Sequence, residues 1–291
     1  MKVAIHGKDL NRKEVDFVRQ VLDLLTRHNV RLYLSEAFGK SISRYKLPNV
    51  RWQPYRAGKK LPAFDLFLSL GGDGTLLETI THIGPAEIPV MGINTGRLGF
   101  LATIGKEETE WAVEAVLKGN YQTDQRTLLQ VSGEAKVFGR LNFALNDFTL
   151  MKKGSSSMIT VNTYIDGEFL NAYWADGLIV ATPTGSTGYS LSCGGPLVFP
   201  HSGNFVITPV SPHNLTARPI VVSDSARITV QAEGRTNTFL VTLDSRFTEI
   251  SRHARLTITR APFRAHLVQL EGQHYFKTLR QKLNWGLDIR N

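Results

Sequence analysis

Residues 66–80 read Leu66-Phe67-Leu68-Ser69-Leu70-Gly71-Gly72-Asp73-Gly74-Thr75-Leu76-Leu77-Glu78-Thr79-Ile80. The first five residues are an apolar run of the kind that forms a buried parallel strand, and the last five resemble the start of a helix. A glycine-rich turn therefore joins the predicted strand to the predicted helix. Such a turn lets backbone N–H groups approach an anionic ligand at the helix N-terminus.

Asp73 is the unusual residue of this turn. A phosphate-binding turn does not favour a carboxylate, because like charges repel. An Asp at this position indicates chemistry on a hydroxyl beside a phosphate, or a metal ion between the two. The stretch is not a P-loop, since no Gly-Lys-Ser/Thr follows it, and it is not the Gly-x-Gly-x-x-Gly of dinucleotide oxidoreductases.

Strand and helix signals alternate over residues 1–122. Apolar runs predict strands at residues 3–5, 30–34, 66–70 and 89–93. Residues 11–14 form a helix-capping pattern, and a second helix is predicted at residues 107–117. This alternation predicts a Rossmann-like α/β nucleotide-binding domain with a parallel sheet. Because ligands bind outside the carboxyl ends of such strands, residues 71–74 and 94–99 are expected to share one crevice.

The sequence pattern changes at about residue 123. Alternating and β-branched runs predict a sandwich-like all-β domain over residues 123–268, with Asp166-Gly167 as a tight hairpin turn. Residues 269–291 are expected to form a C-terminal helix, at residues 275–285, that packs back on another element. Its predicted apolar face consists of Phe276, Leu279 and Leu283.

A second polar segment follows Asp176-Gly177. Residues 182–196 contain seven hydroxyl side chains and four glycines, a composition that does not form a regular apolar strand. The segment fits a binding loop for a polar ligand, in which Tyr189 stacks on a base, and by composition it also fits a surface loop. Its occurrence together with residues 71–74 favours the binding loop.

Composition narrows the class of protein. The chain has 291 residues, a formal net charge of +9 and no nucleic-acid-binding motif, so no nucleic-acid partner is expected. It has no apolar run of about 18 residues and no signal-peptide pattern, so no membrane association is expected and the cytoplasm is favoured. The single cysteine, Cys193, excludes an intramolecular disulfide, and the histidines show no metal-ligand spacing.

Several motifs occur in a fixed order between about residues 66 and 245. They are Gly71–Thr75, residues 94–101, Asn146-Asp147, residues 176–189 and residues 211–219. In this order they closely resemble the NAD kinase family, of the bacterial ATP-NAD kinase type. Lipid kinases share the first motif alone, so the order carries the resemblance.

The resemblance implies an enzyme, an ATP-dependent NAD kinase of NADP biosynthesis. It implies phosphorylation of the 2′-hydroxyl of the adenosine ribose of NAD by ATP with a divalent metal, to give NADP. The metal is expected to be Mg²⁺ carried by ATP, with no set of protein ligands. The partners implied are NAD, ATP and further copies of the chain in a homo-oligomer, most often a tetramer assembled through the β-rich domain.

The family's site residues map onto this sequence one by one. Asp73 matches the catalytic residue that deprotonates or orients the 2′-hydroxyl, and Gly74 matches the backbone that approaches the phosphate. Asn146 and Asp147 match the pair that holds adenine and ribose, and Asp176 matches an acid at the dinucleotide site. The loop around the substrate is matched by Thr184, Thr187, Gly188, Tyr189, Ser190, Leu191 and Ser192.

Several positions depart from the family pattern. Glu78 stands where many relatives carry Arg or Lys, and Trp174 stands where a basic residue is common. Ser245-Arg246 replaces Gly-Gln, so Arg246 is expected to supply a polar ligand contact or to restore a charge lost elsewhere. Trp174 and its neighbour Tyr173 are also predicted to supply aromatic surface for subunit contact.

Two other functions stay open at this point. A lipid or sphingoid-base kinase would share the Gly-Gly-Asp-Gly motif but would need an apolar acceptor cleft, and it leaves Asn146-Asp147 unexplained. A non-catalytic dinucleotide sensor would bind NAD without turnover, although Asp73 is present.

Overall fold

The computed structural model describes residues 1–45, 50–96, 98–133, 137–154 and 157–285. The chain divides into two compact units. The first consists of residues 1–125 with 265–291, and the second consists of residues 126–264. No helix among the described residues combines the length and the apolar character needed to cross a membrane.

The first unit alternates strands and helices, as predicted. Its elements up to residue 121 are β1 (Lys2–Gly7), α1 (Arg12–Arg27), β2 (Arg31–Ser35), α2 (Glu36–Ser43), β3 (Trp52–Tyr55), β4 (Leu66–Leu70), α3 (Asp73–Ile83), β5 (Val90–Ile93) and α4 (Thr109–Leu117). The strands form a parallel sheet in the order β5-β4-β1-β2-β3. The predicted parallel α/β sheet is therefore confirmed.

Local sequence explains most of these elements. Every residue of β4 is buried, as expected of an apolar strand inside a sheet that helices cover. At α1 both halves of the capping box are formed between Asn11 and Glu14. The strand β3 was not predicted, because Pro54 interrupts its short pattern. The structure places it at the sheet edge, where a proline is tolerated.

The remainder of the chain is dominated by strands. Its elements are β6 (Gln122–Gly133), β7 (Phe143–Ala144), β8 (Asp147–Met151), β9 (Ile159–Ile165), β10 (Glu168–Ala175), β11 (Gly177–Ala181), α5 (Tyr189–Ser192), β12 (Asn204–Val210), β13 (Ile220–Ser223), β14 (Ile228–Glu233), β15 (Thr238–Leu243), β16 (Arg246–Ser251), β17 (Arg255–Gln269) and α6 (Tyr275–Leu283). The second unit is a β-rich domain, as predicted.

Two antiparallel arrangements make up the second unit. One has the strand order β13-β12-β11-β8-β15-β16, and the other has β10-β9-β14-β17. Asp166 and Gly167 join β9 to β10 with φ angles of 52° and 91°, so the predicted hairpin is confirmed as a turn with two left-handed residues. Alternate side chains of both arrangements share one buried core that includes Phe148, Phe205 and Phe239.

The C-terminal helix packs through a narrower face than predicted. In α6 only Leu279 is buried, whereas Phe276 and Leu283 are 55% and 37% exposed. The three residues share one face of the helix, as predicted, but only Leu279 of that face is buried. The helix also makes a polar contact, in which Lys282 donates from Nζ to the carbonyl of Leu98 in the same unit.

Candidate active site

The glycine turn, residues 71–74, joins β4 to α3. Gly71 has a φ of 149°, and a Cβ built on it would lie 2.4 Å from Thr75 Oγ1. Only glycine fits this position, because any side chain would collide with Thr75. The turn thus delivers Asp73 as the first residue of α3.

The carboxylate of Asp73 is held by the loop that follows β5. Its Oδ2 accepts a hydrogen bond from Phe100 N at 2.8 Å, and its Oδ1 accepts from Leu101 N at 3.0 Å and from Ala102 N at 2.9 Å. A carboxylate has about four acceptor positions, so one on Oδ2 remains for a ligand hydroxyl. The crevice predicted at residues 71–74 and 94–99 therefore contains a fixed, half-buried acceptor.

Lys8 lies beside this turn, although its sequence position did not predict a role for it. A Cβ built on Gly74 would lie 3.5 Å from Lys8 Nζ, so the ammonium group stands next to the glycine predicted to approach the phosphate. Lys8 directly follows β1. The feature of the sequence that could have indicated Lys8 is a basic residue directly after a predicted strand. The positive charge of Lys8 also offsets the negative charge of Glu78, the acidic residue that departs from the family pattern.

Asn94 belongs to the predicted crevice loop, residues 94–99, but no individual role was predicted for it. Its Oδ1 accepts from Gly96 N at 2.7 Å. Its Nδ2 is buried and has no hydrogen-bond partner among the described residues. A buried amide N–H₂ without a partner at the end of β5 is a candidate donor to a ligand.

Asn146 and Asp147 stand next to the hydroxyl-rich loop of the second unit. A Cβ on Gly185 would lie 2.0 Å from the carbonyl oxygen of Asn146, so only glycine permits this approach. A Cβ on Gly188 would lie 3.8 Å from Asp147 Oδ2 and 4.0 Å from Asn146 Nδ2. The structure therefore brings together the Asn-Asp pair and the loop that the sequence placed forty residues away.

Asp244 supports this pair from the β15–β16 turn and was likewise missed. Its carboxylate accepts from the backbone N–H groups of Leu145 at 3.0 Å, Asn146 at 2.8 Å and Asp147 at 3.3 Å. Asp244 adopts a left-handed φ of 52° to do so. An Asp at the first position of a two-residue hairpin turn was the only sequence signal, and many surface turns share it.

Burial sets the charge state of the two neighbouring carboxyls. Burial, together with the charge of Asp244, raises the pKa of Asp147 to about 7. Burial also raises the pKa of Asp244, but three N–H donors and Arg246 favour its ionised form. We therefore assign the negative charge to Asp244, and Asp147 is close to half-protonated at neutral pH.

The loop residues divide by what their side chains contact. Thr184 Oγ1 accepts from Arg126, Thr187 Oγ1 donates to the carbonyl of Thr184, and the buried Ser190 hydroxyl bonds to Thr208 Oγ1 at 2.9 Å. These three hydroxyls hold the loop's shape. Tyr189, which is 43% exposed, and Ser192 have exposed side chains in this loop, and Leu191 is half-buried. That Tyr189 stacks on a base of the ligand remains a prediction.

Asp176 is an ion-pair partner within the second unit. Its Oδ1 lies 2.6 Å from Lys152 Nζ, and its backbone N–H donates to the carbonyl of Val210. The side chain of Asp176 is 29% exposed. The acid therefore stands at the junction of β10 and β11 with part of its surface open to a ligand.

Comparison with known proteins identifies the family. Residues 3–121 match the ATP-NAD kinase N-terminal domain, and residues 145–270 match the ATP-NAD kinase C-terminal domain. An NAD kinase of Cytophaga hutchinsonii is 50% identical over 293 residues, covering 100% of both chains. The chain belongs to the NAD kinase family. An NAD kinase of Flavobacterium psychrophilum is 41% identical over 294 residues, again covering 100% of both chains.

Solved structures of the family have the same fold. An NAD kinase from Archaeoglobus fulgidus in complex with ATP has a TM-score of 0.76 and 26% identity, covering 98% of this chain and 99% of that one. Yeast NADH kinase complexed with NADH has a TM-score of 0.87 at 24% identity, covering 100% of this chain and 89% of that one. At this sequence identity, the similarity to yeast NADH kinase shows a shared fold only.

The departures from the NAD kinase motifs have local explanations. Arg246 donates to the carbonyls of Leu141 and Phe143, and its Nη2 lies 3.9 Å from Asp244 Oδ2. It thus balances the buried Asp244. Trp174 is 51% exposed and stacks on His213 with ring centroids 4.2 Å apart. Tyr173 is 5% exposed, so the expectation that it supplies aromatic surface is wrong.

Proposed function

We propose that the chain is an ATP-dependent NAD kinase that phosphorylates the 2′-hydroxyl of the adenosine ribose of NAD, giving NADP. The observation that carries this proposal is Asp73, a carboxylate fixed by three backbone N–H groups with one acceptor position left on Oδ2. A ribose hydroxyl is a poor nucleophile near neutral pH. A fixed carboxylate that accepts its proton makes it a better one.

The first unit supplies the groups for phosphoryl transfer. This reaction depends on positioning and on charge neutralisation more than on covalent chemistry. Asp73 orients the hydroxyl, and the turn at Gly74 with Lys8 beside it provides N–H groups and a positive charge for phosphate oxygens. We assign the first unit as the nucleotide-binding domain.

A divalent cation, Mg²⁺ by this proposal, accompanies ATP. The glycine turn offers one carboxylate, which suits an ion held mainly by phosphate oxygens and water and does not suit a cage of protein ligands. When bound with ATP, Mg²⁺ supplies charge neutralisation on the phosphates. Because the one open acceptor position of Asp73 is assigned to the ribose hydroxyl, no protein ligand is assigned to the ion.

The second unit supplies recognition of the adenosine half of NAD. By this proposal the Asn146 amide binds the base and the Asp147 carboxyl binds the ribose; both side chains lie beside Gly188, where a ligand can approach the loop. Asp176 and the loop from Thr184 to Ser192 complete the predicted contacts. Asp147→Ala should therefore raise the KM for NAD much more than the KM for ATP.

We further propose that the protein is cytoplasmic and assembles as a homo-oligomer, a tetramer, through the β-rich unit. The support is exposed apolar surface on that unit, at Phe169, Trp174 and Phe247, which are 55%, 51% and 73% exposed. Large exposed aromatic side chains are enriched where proteins associate.

A coupled assay for NADP formation from NAD tests the proposed function. ATP, other nucleoside triphosphates and polyphosphate are compared as donors, each with and without Mg²⁺. NADP formation dependent on both ATP and Mg²⁺ is the expected result. Phosphorylation of a sphingoid base with none of NAD would favour the lipid kinase, and binding of NAD without turnover would favour the sensor.

A further inference from the structure

Three side chains with metal-ligand atoms meet in the first unit. His6 lies in β1, and Glu78 and His82 lie four residues apart on α3, so they share one face of that helix. One ligand atom from each residue can be chosen so that all three lie within 4.8 Å of one another. Because β1 and α3 are far apart in sequence, the spacing of the histidines gave no sign of this cluster.

The separations suit a single ion. His6 Nε2 lies 3.5 Å from Glu78 Oε2, and the rings of His6 and His82 have centroids 4.3 Å apart. Two ligand atoms bound to one tetrahedral zinc ion at about 2.1 Å lie about 3.4 Å from each other. The distance from His6 Nε2 to Glu78 Oε2 already matches this value, and the distances to the ligand atom of His82 are at most 4.8 Å, so the set closes when the His82 ligand atom moves inward.

Both histidines have an outer partner that fixes the ring. His6 Nδ1 lies 2.8 Å from Ser35 Oγ, and His82 Nδ1 lies 2.9 Å from the Tyr55 hydroxyl. Each hydroxyl oxygen can accept a hydrogen bond from Nδ1–H, the tautomer that leaves Nε2 as the ligand atom. Metal-bound histidines almost always have such a contact on the second nitrogen.

The ligand atom of His6 has no partner of its own within the described part of the chain. His6 is 2% exposed, and its Nε2 makes no hydrogen bond among the described residues, since 3.5 Å separate it from Glu78 Oε2. A buried imidazole nitrogen that has no hydrogen-bond partner and lies next to a carboxylate and a second imidazole is a candidate ligand for a cation.

We propose that His6, Glu78 and His82 form a binding site for a zinc-type divalent cation, with a fourth position open to water. Two imidazoles and a carboxylate favour Zn²⁺ or Co²⁺ over Mg²⁺, which prefers oxygen ligands. The ion therefore differs from the one that accompanies ATP, and the inference does not rest on the proposed function. Glu78 is 46% exposed, which leaves a route for the ion from solvent. The bound ion would link β1 to the helix that begins at Asp73.

Metal titration of the full chain tests this site. The protein is stripped with a chelator and titrated with Co²⁺, followed by visible absorption, and with Zn²⁺, followed by calorimetry, both in excess Mg²⁺. We expect one equivalent of tightly bound ion in each titration. Absence of binding, or displacement of Co²⁺ by Mg²⁺, would overturn the proposal.

Three variants locate the ion. Glu78→Gln and His82→Gln should each weaken Co²⁺ and Zn²⁺ binding by about tenfold or more, because each removes a ligand. His266→Gln is the matched control, since His266 Nε2 lies 3.8 Å from Glu87 Oε1 in a pair outside this cluster. It should leave binding unchanged. If the His82→Gln protein does not fold, the Glu78→Gln variant is sufficient to test the site, because Glu78 is half-exposed and its replacement is tolerated more easily. Unaltered Co²⁺ and Zn²⁺ binding by Glu78→Gln would contradict the proposed site.

Discussion

The carboxylate of Asp73 occupies the space in which residue 99 would carry a side chain. A Cβ built on Gly99 would lie 1.9 Å from Asp73 Oδ1 and 2.5 Å from its Cγ. The loop after β5 can therefore approach closely enough for Phe100, Leu101 and Ala102 to donate to Asp73 only because residue 99 has no side chain. The geometry of the proposed catalytic residue depends on this glycine.

Gly99→Ala should lower the turnover of NAD without removing any functional group. The added methyl group must displace either the Asp73 carboxylate or the loop, and misplacement of a catalytic group by about 1 Å costs on the order of 10²-fold in rate. Steady-state kinetics checks this. Gly96→Ala is the control, because among the described residues the atom nearest to its Cβ would be Asn94 Oδ1, at 3.9 Å. Equal rates in the two variants would contradict the dependence on residue 99.

Asp73→Asn should reduce turnover by about 10²–10⁴ while NAD still binds. An amide cannot take the proton of the ribose hydroxyl, and its N–H₂ faces backbone N–H donors where the carboxylate had acceptors. Calorimetric NAD affinity and the thermal midpoint are measured beside kcat, because the variant also loses contacts to the loop. Turnover within about threefold of the parent rate would remove Asp73 from the mechanism.

Lys8→Met should raise the KM for ATP by about tenfold and change the KM for NAD little. The ammonium group stands next to Gly74, and a charged hydrogen bond to phosphate contributes about 1.5–3 kcal/mol. Lys13→Met, on the exposed side of α1, serves as the control and should behave like the parent. If both variants had the parent KM for ATP, Lys8 would have no part in phosphate binding.

Asp147→Asn should gain stability relative to the parent as the pH rises from 5 to 8. The pKa of Asp147 is about 7 in the folded chain and 3.8 for a carboxyl exposed to water, so the unfolded chain releases this proton at lower pH than the folded chain. The parent therefore loses stability as the pH rises through this window, by at most about 3 kcal/mol, and the amide does not. Urea denaturation at both pH values measures the difference. The exposed Asp166→Asn should show none.

The oligomer should depend on Trp174. We expect a tetramer by light scattering at micromolar concentration and smaller species for Trp174→Glu, because a charge would be placed on an apolar contact surface. Trp111→Glu is the matched control, since Trp111 is 49% exposed but lies on α4 in the first unit. A monomer of about 32 kDa with full activity would refute the proposed assembly.

The sequence by itself determined most of the helices and strands and the motifs that carry the proposed chemistry. The apolar run before Gly71, the capping pair at α1 and the Asp166-Gly167 turn act through neighbours in the chain, so their outcome could be read locally. The order of the motifs also gave the family, because the candidate residues keep fixed places along the chain.

Only the tertiary structure decided what those residues contact. Asp244 reaches Asn146, Lys8 stands beside Gly74, and His6 meets Glu78 and His82 across pairs of elements that no local pattern joins. The same holds for the raised pKa of Asp147, because burial and the charge of a neighbour arise only on folding. Sequence periodicity reports the face on which a residue lies, whereas charge state and ligand geometry depend on distances between segments that packing alone sets.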